Sequence, residues 1–251
     1  MPFSLDGRVA LVTGSSTGLG KAVAFGLARS GAKVALNYFN NEERAAQTFS
    51  EFEAEGFEGV MLRGDVSDED SVNALCAAAV EKLGAIDILV VNATPDQPQM
   101  PIEEFTWDHY QEMIDFFIKS PYLLTRAVLP HMKESRWGRI INITSEVFQR
   151  SIGNFSAYVS AKGGQIGFTR SMATELAPFN ITVNLVAPGW IPVERHENDS
   201  QEQKDGYREL IPMDRWGVPD DIAGAVTYYA SDEAGFVTGQ TICVNGGMSP
   251  W

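Results

Sequence analysis

Cysteine is scarce in this chain of 251 residues, which contains only Cys76 and Cys243. With two cysteines and no metal-ligand spacing, neither a disulfide framework nor a metal site is expected. Basic residues are also few, because 19 Lys and Arg stand against 33 Asp and Glu, for a net charge of −14. Nucleic-acid binding requires a surface rich in Lys and Arg to contact the phosphates, so we expect no nucleic-acid partner.

Long apolar runs are missing as well. No stretch reaches the roughly 18 uninterrupted apolar residues of a membrane-spanning helix. The first residues lack a basic segment followed by an apolar run of signal length. We therefore expect no membrane partner, and the shortage of cysteine favours a cytoplasmic protein in a reducing compartment.

Short apolar runs alternate with helix-length amphipathic segments along the chain. The apolar runs are rich in Val, Ile and Leu, which predicts strands covered on both faces. They lie at 8–13, 33–38, 59–64, 86–91, 139–144, 181–186 and 241–245. The helical patterns lie near 19–30, 42–55, 68–83, 104–134, 155–178 and 219–230. This alternation predicts an α/β fold with a parallel sheet and helices on both faces.

No linker, repeat or low-complexity segment interrupts this alternation, so we expect a single domain over residues 1–251. The exception to the regular pattern is the segment 188–217, which is polar, acidic and long for a connection. Segments of this kind inside compact domains usually have a function. We expect an irregular substrate-binding loop there.

Glycines cluster in the sequence TGSSTGLG at 13–20, where the first strand is followed by the first helix. Gly14, Gly18 and Gly20 would leave the helical N–H groups and the positive end of the helix dipole accessible to a diphosphate. Tight turns use glycine for other reasons, but here a strand precedes the turn and a helix follows it. The turn predicts a dinucleotide site, in which we also include Ser16, Thr17 and Leu19.

The end of the second strand usually distinguishes NAD from NADP. The sequence NYFNN offers neither the acid that binds a ribose diol nor the Arg or Lys that binds a 2′-phosphate. The missing acid removes a repulsion against phosphate, and Asn37, Asn40 and Asn41 are able to hydrogen-bond one. We therefore favour NADP(H) slightly over NAD(H), and expect Tyr38 at the adenosine ribose.

Asp65 and Val66 follow the third strand, where the adenine would lie. The alternative role of Asp65 is to cap the next helix, which Ser67 or Asp68 would do equally well.

Tyr158 and Lys162 lie four residues apart in the sequence SAYVSAKGG, so they share one face of a helix. A nearby cation lowers the pKa of a tyrosine from its usual value of about 10, which lets the hydroxyl protonate a carbonyl oxygen. Ser145, at the end of the fifth strand, would lie in the same crevice and hydrogen-bond the substrate oxygen. Such a Tyr/Lys pair alone is often two side chains that reach the surface from one helix. The glycine turn and Ser145 favour the chemical role.

Together these motifs resemble the short-chain dehydrogenase/reductase family, in the classical branch that includes 3-oxoacyl-carrier-protein reductases and glucose dehydrogenases. The resemblance spans the whole chain. It is carried by TGSSTGLG (13–20), DV (65–66), NA (92–93), Ser145 with YVSAK (158–162), VNLVAPG (183–189) and TGQTICVNGG (238–247). It implies a single-domain Rossmann-type doubly wound fold with a seven-stranded parallel sheet in the strand order 3-2-1-4-5-6-7.

The resemblance further implies an NAD(P)-dependent oxidoreductase that interconverts a secondary alcohol and a ketone on a small polar substrate. Tyr158 would be the general acid/base, Lys162 would bind the nicotinamide ribose, and Ser145 would hold the substrate oxygen. Further positions expected at the cofactor are Asn92, Ala93, Pro188, Gly189 and Ile191. Trp190 is expected at the substrate, and the helices at 104–134 and 155–178 are expected to form a homotetramer.

Two places depart from the family pattern. The usual N-N-A-G after the fourth strand is VNAT here, with Val91 and Thr94 in place of the first Asn and the Gly. Phe117 aligns with the position of the family's catalytic Asn, and a phenyl ring can neither donate nor accept a hydrogen bond. No Asn occurs from 93 to 141, so the usual proton relay is absent or rerouted. Pro121 predicts a local kink in the same helix.

Two other functions stay open on the sequence alone. One is elimination or dehalogenation by a relative that has abandoned the cofactor, against which the glycine turn and Lys162 argue. The other is a nucleotide-binding scaffold or sensor with impaired catalysis, which Phe117 motivates. His109, His131 and His196 share no ligand spacing, so we expect no metal.

Overall fold

The computed structural model describes residues 3–250, and within them seven strands form one parallel sheet in the order β3-β2-β1-β4-β5-β6-β7. The strands are β1 (Val9–Val12), β2 (Lys33–Tyr38), β3 (Gly59–Arg63), β4 (Ile88–Val91), β5 (Gly138–Ile143), β6 (Ile181–Pro188) and β7 (Thr241–Val244). This order confirms the doubly wound, Rossmann-type prediction.

Helices connect the strands and cover both faces of the sheet. They are α1 (Gly18–Arg29), α2 (Glu42–Ala54), α3 (Glu69–Leu83), α4 (Trp107–Ile114), α5 (Ser120–Ser135), α6 (Val147–Arg150), α7 (Ser156–Leu176), α8 (Gln201–Glu209) and α9 (Pro219–Ala230). One core contains side chains of α1, α2 and α9, and the other contains side chains of α3, α5 and α7.

Successive residues of a strand enter opposite cores. In β1, Ala10 and Val12 pack with α1 and α9, whereas Leu11 packs with α3 and α5. All three residues are fully buried. This is why the strands are continuous apolar runs in the sequence rather than alternating ones.

The parallel arrangement brings the carboxyl ends of all strands to one edge of the sheet. The strand order changes direction between β1 and β4, and folds of this type bind ligands in the crevice outside that point. The residues that follow β1, β4 and β5 therefore lie around one crevice.

The segment 188–217 is more regular than the sequence indicated. Glu194–His196 forms a short 3₁₀ turn, and α8 covers Gln201–Glu209. Ser200 caps α8 by accepting a hydrogen bond from the N–H of Gln203. The prediction of an irregular loop was wrong for these residues, because their polar composition concealed a capped helix that is largely exposed to solvent.

The single helix predicted over 104–134 is divided. After α4, Asp115–Lys119 forms a π-helical turn, and α5 follows it. Pro121 has no N–H to donate to the carbonyl of Phe117 four residues earlier, so a regular α-helix cannot continue through this point. The distortion predicted from Pro121 is therefore a wider helical turn that lies just before the proline.

Other features of residues 3–250 bear on function. Cys76 is buried and Cys243 is half-buried. Across these residues we find no group of three His, Cys, Asp or Glu placed to hold a metal ion. No helix in the same range combines the length and apolar character needed to cross a bilayer.

Stability measurements on two leucines test the core assignment. Leu27 of α1 is fully buried, whereas Leu210, just after α8, is 56% exposed. We expect Leu27→Ala to lower the free energy of unfolding by about 2–5 kcal/mol, through lost burial and the cavity left behind. Leu210→Ala should change it by less than about 0.5 kcal/mol. Urea denaturation followed by circular dichroism measures both, and equal losses would contradict the assignment.

Candidate active site

The turn between β1 and α1 requires glycine at three positions. Gly14 has a φ of +61° and Gly18 a φ of +55°, both in the left-handed region. At Gly20, an added Cβ would lie 2.2 Å from the Gly14 carbonyl oxygen and 2.5 Å from Asn92 Nδ2. Backbone conformation and close packing therefore both demand glycine here.

Two asparagine side chains hold this turn to the sheet. Asn37, buried in β2, accepts a hydrogen bond from the Gly14 N–H at 3.1 Å. Asn92, just after β4, donates from Nδ2 to the Gly14 carbonyl at 3.1 Å. Asn37 is buried and its Nδ2 donates to backbone carbonyls, so it does not fit the suggested role of binding a phosphate. Asn41 caps α2 through its side-chain oxygen, and its contact with a phosphate stays a prediction.

The first turn of α1 fits the diphosphate of a dinucleotide. It carries no acidic side chain, so the positive end of the helix dipole is not neutralised. Thr17 is the N-cap residue, yet its buried Oγ1 has no hydrogen-bond partner. Leu19 packs against the core, and Ser16 is tied down by the Thr48 hydroxyl, which donates to its carbonyl. A phosphate oxygen would satisfy the orphaned Thr17 hydroxyl.

The residues expected at the adenosine end of the site follow β2 and β3. Tyr38 is half-buried and Val66 is buried. Asp65 accepts hydrogen bonds from the N–H and the hydroxyl of Ser67, at 2.8 and 2.7 Å. Asp68 caps α3, so helix capping is not the role of Asp65.

Sequence reasoning overlooked a cation beside Tyr38. Arg63 of β3 pairs with Tyr38 in the strand register. Its Nε donates to the Phe39 carbonyl at 3.1 Å, and its guanidinium lies 5.9 Å from the centroid of the Phe39 ring. The pairing register of β2 and β3 is the signal that places Arg63 beside Tyr38. A motif at the end of β2 contains no residue of β3.

The fold brings Ser145, Tyr158 and Lys162 together. Ser145 follows β5 and hydrogen-bonds Tyr158, which lies in the first turn of α7. The Lys162 amine lies 5.6 Å from the centroid of the Tyr158 ring. Tyr158 is 8% exposed and Lys162 is 3% exposed. The three side chains therefore lie together at one site, in which Tyr158 and Lys162 are buried and Ser145 is half-buried. Their chemical roles stay predictions.

Small residues in α7 allow its neighbours to approach closely. An added Cβ at Gly164 would lie 2.5 Å from Ile118 of the π-helical turn. At Gly163 it would lie 3.0 Å from the ring of Phe148 in α6. The two glycines that follow Lys162 thus let the π-helical turn and α6 pack directly against α7.

The Lys162 amine has three electron-rich neighbours. It donates to the Ile143 carbonyl at 2.7 Å and to Gln165 Oε1 at 3.2 Å. It also lies 3.8 Å from the centroid of the Phe117 ring. Phe117 is 1% exposed and meets Tyr158 in an edge-to-face contact of 5.3 Å. The ring of Phe117 therefore contacts both predicted catalytic side chains.

Burial governs the protonation of both groups. It raises the pKa of Tyr158, although the hydrogen bond from Ser145 and the charge of Arg195 act in the opposite direction. It lowers the pKa of Lys162 well below the usual range, and Arg195 lowers it further. The pKa of Tyr158 is thus raised where the sequence predicted a fall, because desolvation outweighs the hydrogen bond from Ser145 and the charge of Arg195. The effect of Lys162 itself stays a prediction.

Arg195 is a second residue that sequence reasoning missed. It lies in the 3₁₀ turn of the segment 188–217, and its Nε donates to His196 Nε2 at 3.1 Å. Its charge acts on both Tyr158 and Lys162. Nothing in the sequence separates it from other surface arginines, because only the folded segment brings it to the site.

The start of the segment 188–217 extends from β6 to the glycine turn. The Pro188 carbonyl accepts a hydrogen bond from the Glu146 N–H, and Ile191 is buried. Val193 lies against Gly18, with its Cγ2 3.4 Å from where a Cβ would stand. This stretch therefore covers the crevice between the predicted nicotinamide wall and the diphosphate turn.

A buried carboxylate anchors the rest of the segment. Glu146, next to Ser145, accepts hydrogen bonds from Tyr207 at 2.7 Å and Asn245 at 3.0 Å, and pairs with Arg150 at 2.7 Å. The Tyr207 oxygen in turn accepts a hydrogen bond from the Trp190 N–H at 2.6 Å. Tyr207 thereby links α8 and the backbone at Trp190 to the end of β5.

Known proteins are similar to this chain along nearly its whole length. Residues 14–249 match the family model described as Enoyl-(Acyl carrier protein) reductase. The chain is 40% identical over 243 residues to the 3-oxoacyl-[acyl-carrier-protein] reductase FabG of Staphylococcus epidermidis, covering 96% of this chain and 98% of that one.

Two solved structures are similar along nearly the whole chain. A gluconate 5-dehydrogenase from Burkholderia cenocepacia, in complex with NADP and tartrate, is 35% identical with a TM-score of 0.89, covering 98% of this chain and 96% of that one. A mutant short-chain dehydrogenase/reductase from Serratia marcescens is 33% identical with a TM-score of 0.91, covering 98% and 99%.

Removing one oxygen atom tests the anchoring role of Tyr207. Tyr207→Phe keeps the ring stacked on Trp216 but removes both hydrogen bonds of the hydroxyl. A hydrogen bond to a charged group contributes about 1.5–3 kcal/mol, so we expect trypsin to cleave within 195–208 at least about tenfold faster. Limited proteolysis followed by mass spectrometry measures the rate. Tyr228→Phe, outside this segment, is the control, and an unchanged rate in Tyr207→Phe would contradict the anchoring role.

Proposed function

The chain belongs to the short-chain dehydrogenase/reductase family, and we propose that it is an NAD(P)-dependent oxidoreductase that interconverts a secondary alcohol and a ketone. The observation that carries this proposal is the meeting of Ser145, Tyr158 and Lys162 beside the glycine turn, at the carboxyl edge of the sheet. The names of the reductase and of the gluconate 5-dehydrogenase that resemble the chain describe reactions of this class.

A dinucleotide would lie along this edge from the glycine turn to the end of β6. Its proposed contacts are Gly14, Ser16, Thr17, Gly18, Leu19, Gly20, Tyr38, Asp65, Val66, Asn92, Ala93, Tyr158, Lys162, Pro188, Gly189 and Ile191. When bound, the nicotinamide supplies the hydride that reduces the substrate carbon.

The side chains of the site would transfer the proton that accompanies the hydride. Ser145 donates to the carbonyl oxygen of the substrate and orients it, while Tyr158 delivers its hydroxyl proton to the same oxygen. Because burial raises the pKa of Tyr158, the phenol stays protonated until negative charge develops on that oxygen. In the oxidative direction the same oxygen of Tyr158 receives the proton.

A small polar substrate suits the covering segment. Trp190 would provide an aromatic wall, and Arg195 places a guanidinium charge within electrostatic reach of Tyr158. A guanidinium binds carboxylates and other oxygen-rich groups well. The gluconate 5-dehydrogenase structure holds tartrate, which is a molecule of this kind.

Arg63 supports a preference for NADP(H) over NAD(H). Its guanidinium lies at the Phe39 carbonyl, next to Tyr38, where the adenosine ribose is expected. A 2′-phosphate on that ribose would gain a charge-assisted hydrogen bond from Arg63. The gluconate 5-dehydrogenase that resembles the chain was solved with NADP.

We also propose a homotetramer that uses the helices at 104–134 and 155–178. Large apolar side chains on and beside these helices are exposed in the single chain, as Trp107, Tyr122 and Phe148 show. Exposed aromatic groups of this size are typical of surfaces that are buried by association.

Turnover by the wild type and by Tyr158→Phe tests the oxidoreductase function. NADPH and NADH fluorescence would be followed with a panel of ketones, half of them bearing a carboxylate. We expect Tyr158→Phe to lower kcat by about 10²–10⁴-fold, because it removes the general acid, while NADPH affinity changes little. Tyr110→Phe, which removes a hydroxyl bonded to Ser156, is the control. Nucleotide binding without turnover would favour a scaffold or sensor, and no binding of either nucleotide would overturn the proposal.

Cofactor preference depends on Arg63 if it contacts the 2′-phosphate. We expect Arg63→Gln to raise the KM for NADPH about tenfold or more, because a charge-assisted hydrogen bond is lost, with little change for NADH. Initial rates at varied nucleotide concentration give both values. Arg29→Gln removes the same charge from the end of α1, and should leave both values unchanged. A parallel rise in the NADH value would contradict a role in recognising the phosphate.

A further inference from the structure

The Lys162 amine is buried without a carboxylate partner. Lys162 is 3% exposed, and the ion pairs among residues 3–250 do not include it. Transfer of an ammonium group into the protein interior is costly unless other groups compensate for the lost water. A charged Lys162 beside Tyr158 therefore needs compensation from groups other than an ion pair.

Three neighbours can provide that compensation. The Ile143 carbonyl and Gln165 Oε1 both accept hydrogen bonds from the amine, at 2.7 and 3.2 Å. The face of the Phe117 ring, 3.8 Å away, carries the negative part of the aromatic quadrupole. All three interactions are stronger with an ammonium than with a neutral amine.

Gln165 is placed for this task by the helix itself. It follows Lys162 by three residues in α7, so the two side chains are neighbours on one helix face. Gln165 is 1% exposed, and an amide side chain is rarely buried this fully without a hydrogen-bond partner. Since an ammonium only donates, the amide oxygen is the atom that faces it.

We propose that Gln165 is a positioning residue which, together with the Phe117 ring, holds the Lys162 ammonium beside Tyr158 and favours its charged form. In this arrangement the Ile143 carbonyl, Gln165 and the Phe117 ring all contact the amine. The arrangement itself is independent of the reaction, whereas its effect on turnover rests on the proposed oxidoreductase function.

Few other charged groups act on the amine. Arg195, from the segment 188–217, disfavours the positive charge of Lys162. Tyr158 lies one helical turn before Lys162 in α7. Ser145, from the end of β5, is bonded to Tyr158 and carries no charge. The pKa of Lys162 should therefore respond strongly to the group at position 165.

Two substitutions of nearly equal size should move this pKa in opposite directions. Gln165→Met removes the acceptor, so the ammonium loses a charge-assisted hydrogen bond and the pKa of Lys162 falls by about one unit or more. Gln165→Glu offers a carboxylate to the same amine, so the pKa rises by about one unit or more. A residue that served packing alone would not produce shifts of opposite sign.

NMR of protein labelled with ¹³C at lysine Cε, without added nucleotide, measures the titration midpoint directly. Lys162→Arg identifies the signal by its loss. We expect midpoints in the order Gln165→Met, wild type, Gln165→Glu, with Phe117→Leu below the wild type through loss of the ring face. Equal midpoints in the two Gln165 variants, or the reverse order, would overturn the proposal whether or not the protein turns over a ketone.

The alkaline limb of kcat/KM gives the second readout. Because the charged Lys162 is lost as pH rises through its pKa, the limb should move to lower pH in Gln165→Met and to higher pH in Gln165→Glu. Thr169→Val is the matched control, since it removes a buried hydrogen bond to Asn142 from the same helix. A limb that moves equally in the control would assign the effect to stability and contradict the role of Gln165. Absence of turnover in the wild type would instead count against the proposed function.

Discussion

The burial of the Lys162 amine beside Tyr158 is the constraint on which the site depends. An ammonium in the interior must be surrounded by acceptors, and the fold supplies a strand carbonyl from β5, an amide from α7 and an aromatic face from the π-helical turn. These three elements can converge only if they pack closely. Gly164 makes this possible, because it has no side chain at the contact with Ile118. Pro121 contributes by preventing a regular helix where Phe117 has to turn towards the amine.

Buried polar side chains connect this site to the rest of the crevice. Asn37 and Asn92 hold the glycine turn to β2 and β4, so the predicted diphosphate site is built onto the sheet rather than onto a mobile loop. Glu146 does the same for the segment 188–217 through Tyr207. In each case a side chain of the scaffold binds the backbone or the side chain of a functional segment. The geometry of the crevice therefore depends on hydrogen bonds that each stabilise the fold only modestly. Losing one partner of such a bond costs more, because the other partner stays buried and unsatisfied.

The parts of the site that sequence reasoning found are those encoded by local spacing. The glycine turn, Ser145 at a strand end, and the i, i+4 pair of Tyr158 and Lys162 all depend on one element or on one junction between two. Arg63 and Arg195 were missed because their positions depend on strand register and on the course of a long segment. The direction of the Tyr158 pKa was mispredicted for a related reason. Desolvation depends on everything packed around a group, whereas the sequence shows only the charge of its helical neighbour.

The sequence by itself determined the alternation of strands and helices and the position of the glycine turn, because hydrophobic periodicity and glycine placement follow from backbone geometry. The strand order came from the resemblance to the family, and the roles of the site residues stay predictions. The resemblance to the family also predicted that Phe117 stands where the family has an Asn. Only the tertiary structure shows what the Phe117 ring contacts. Its face lies against the Lys162 amine, and it meets the Tyr158 ring in an edge-to-face contact. Contacts of this kind join residues distant along the chain, and a motif does not contain the distances and orientations on which their energies depend.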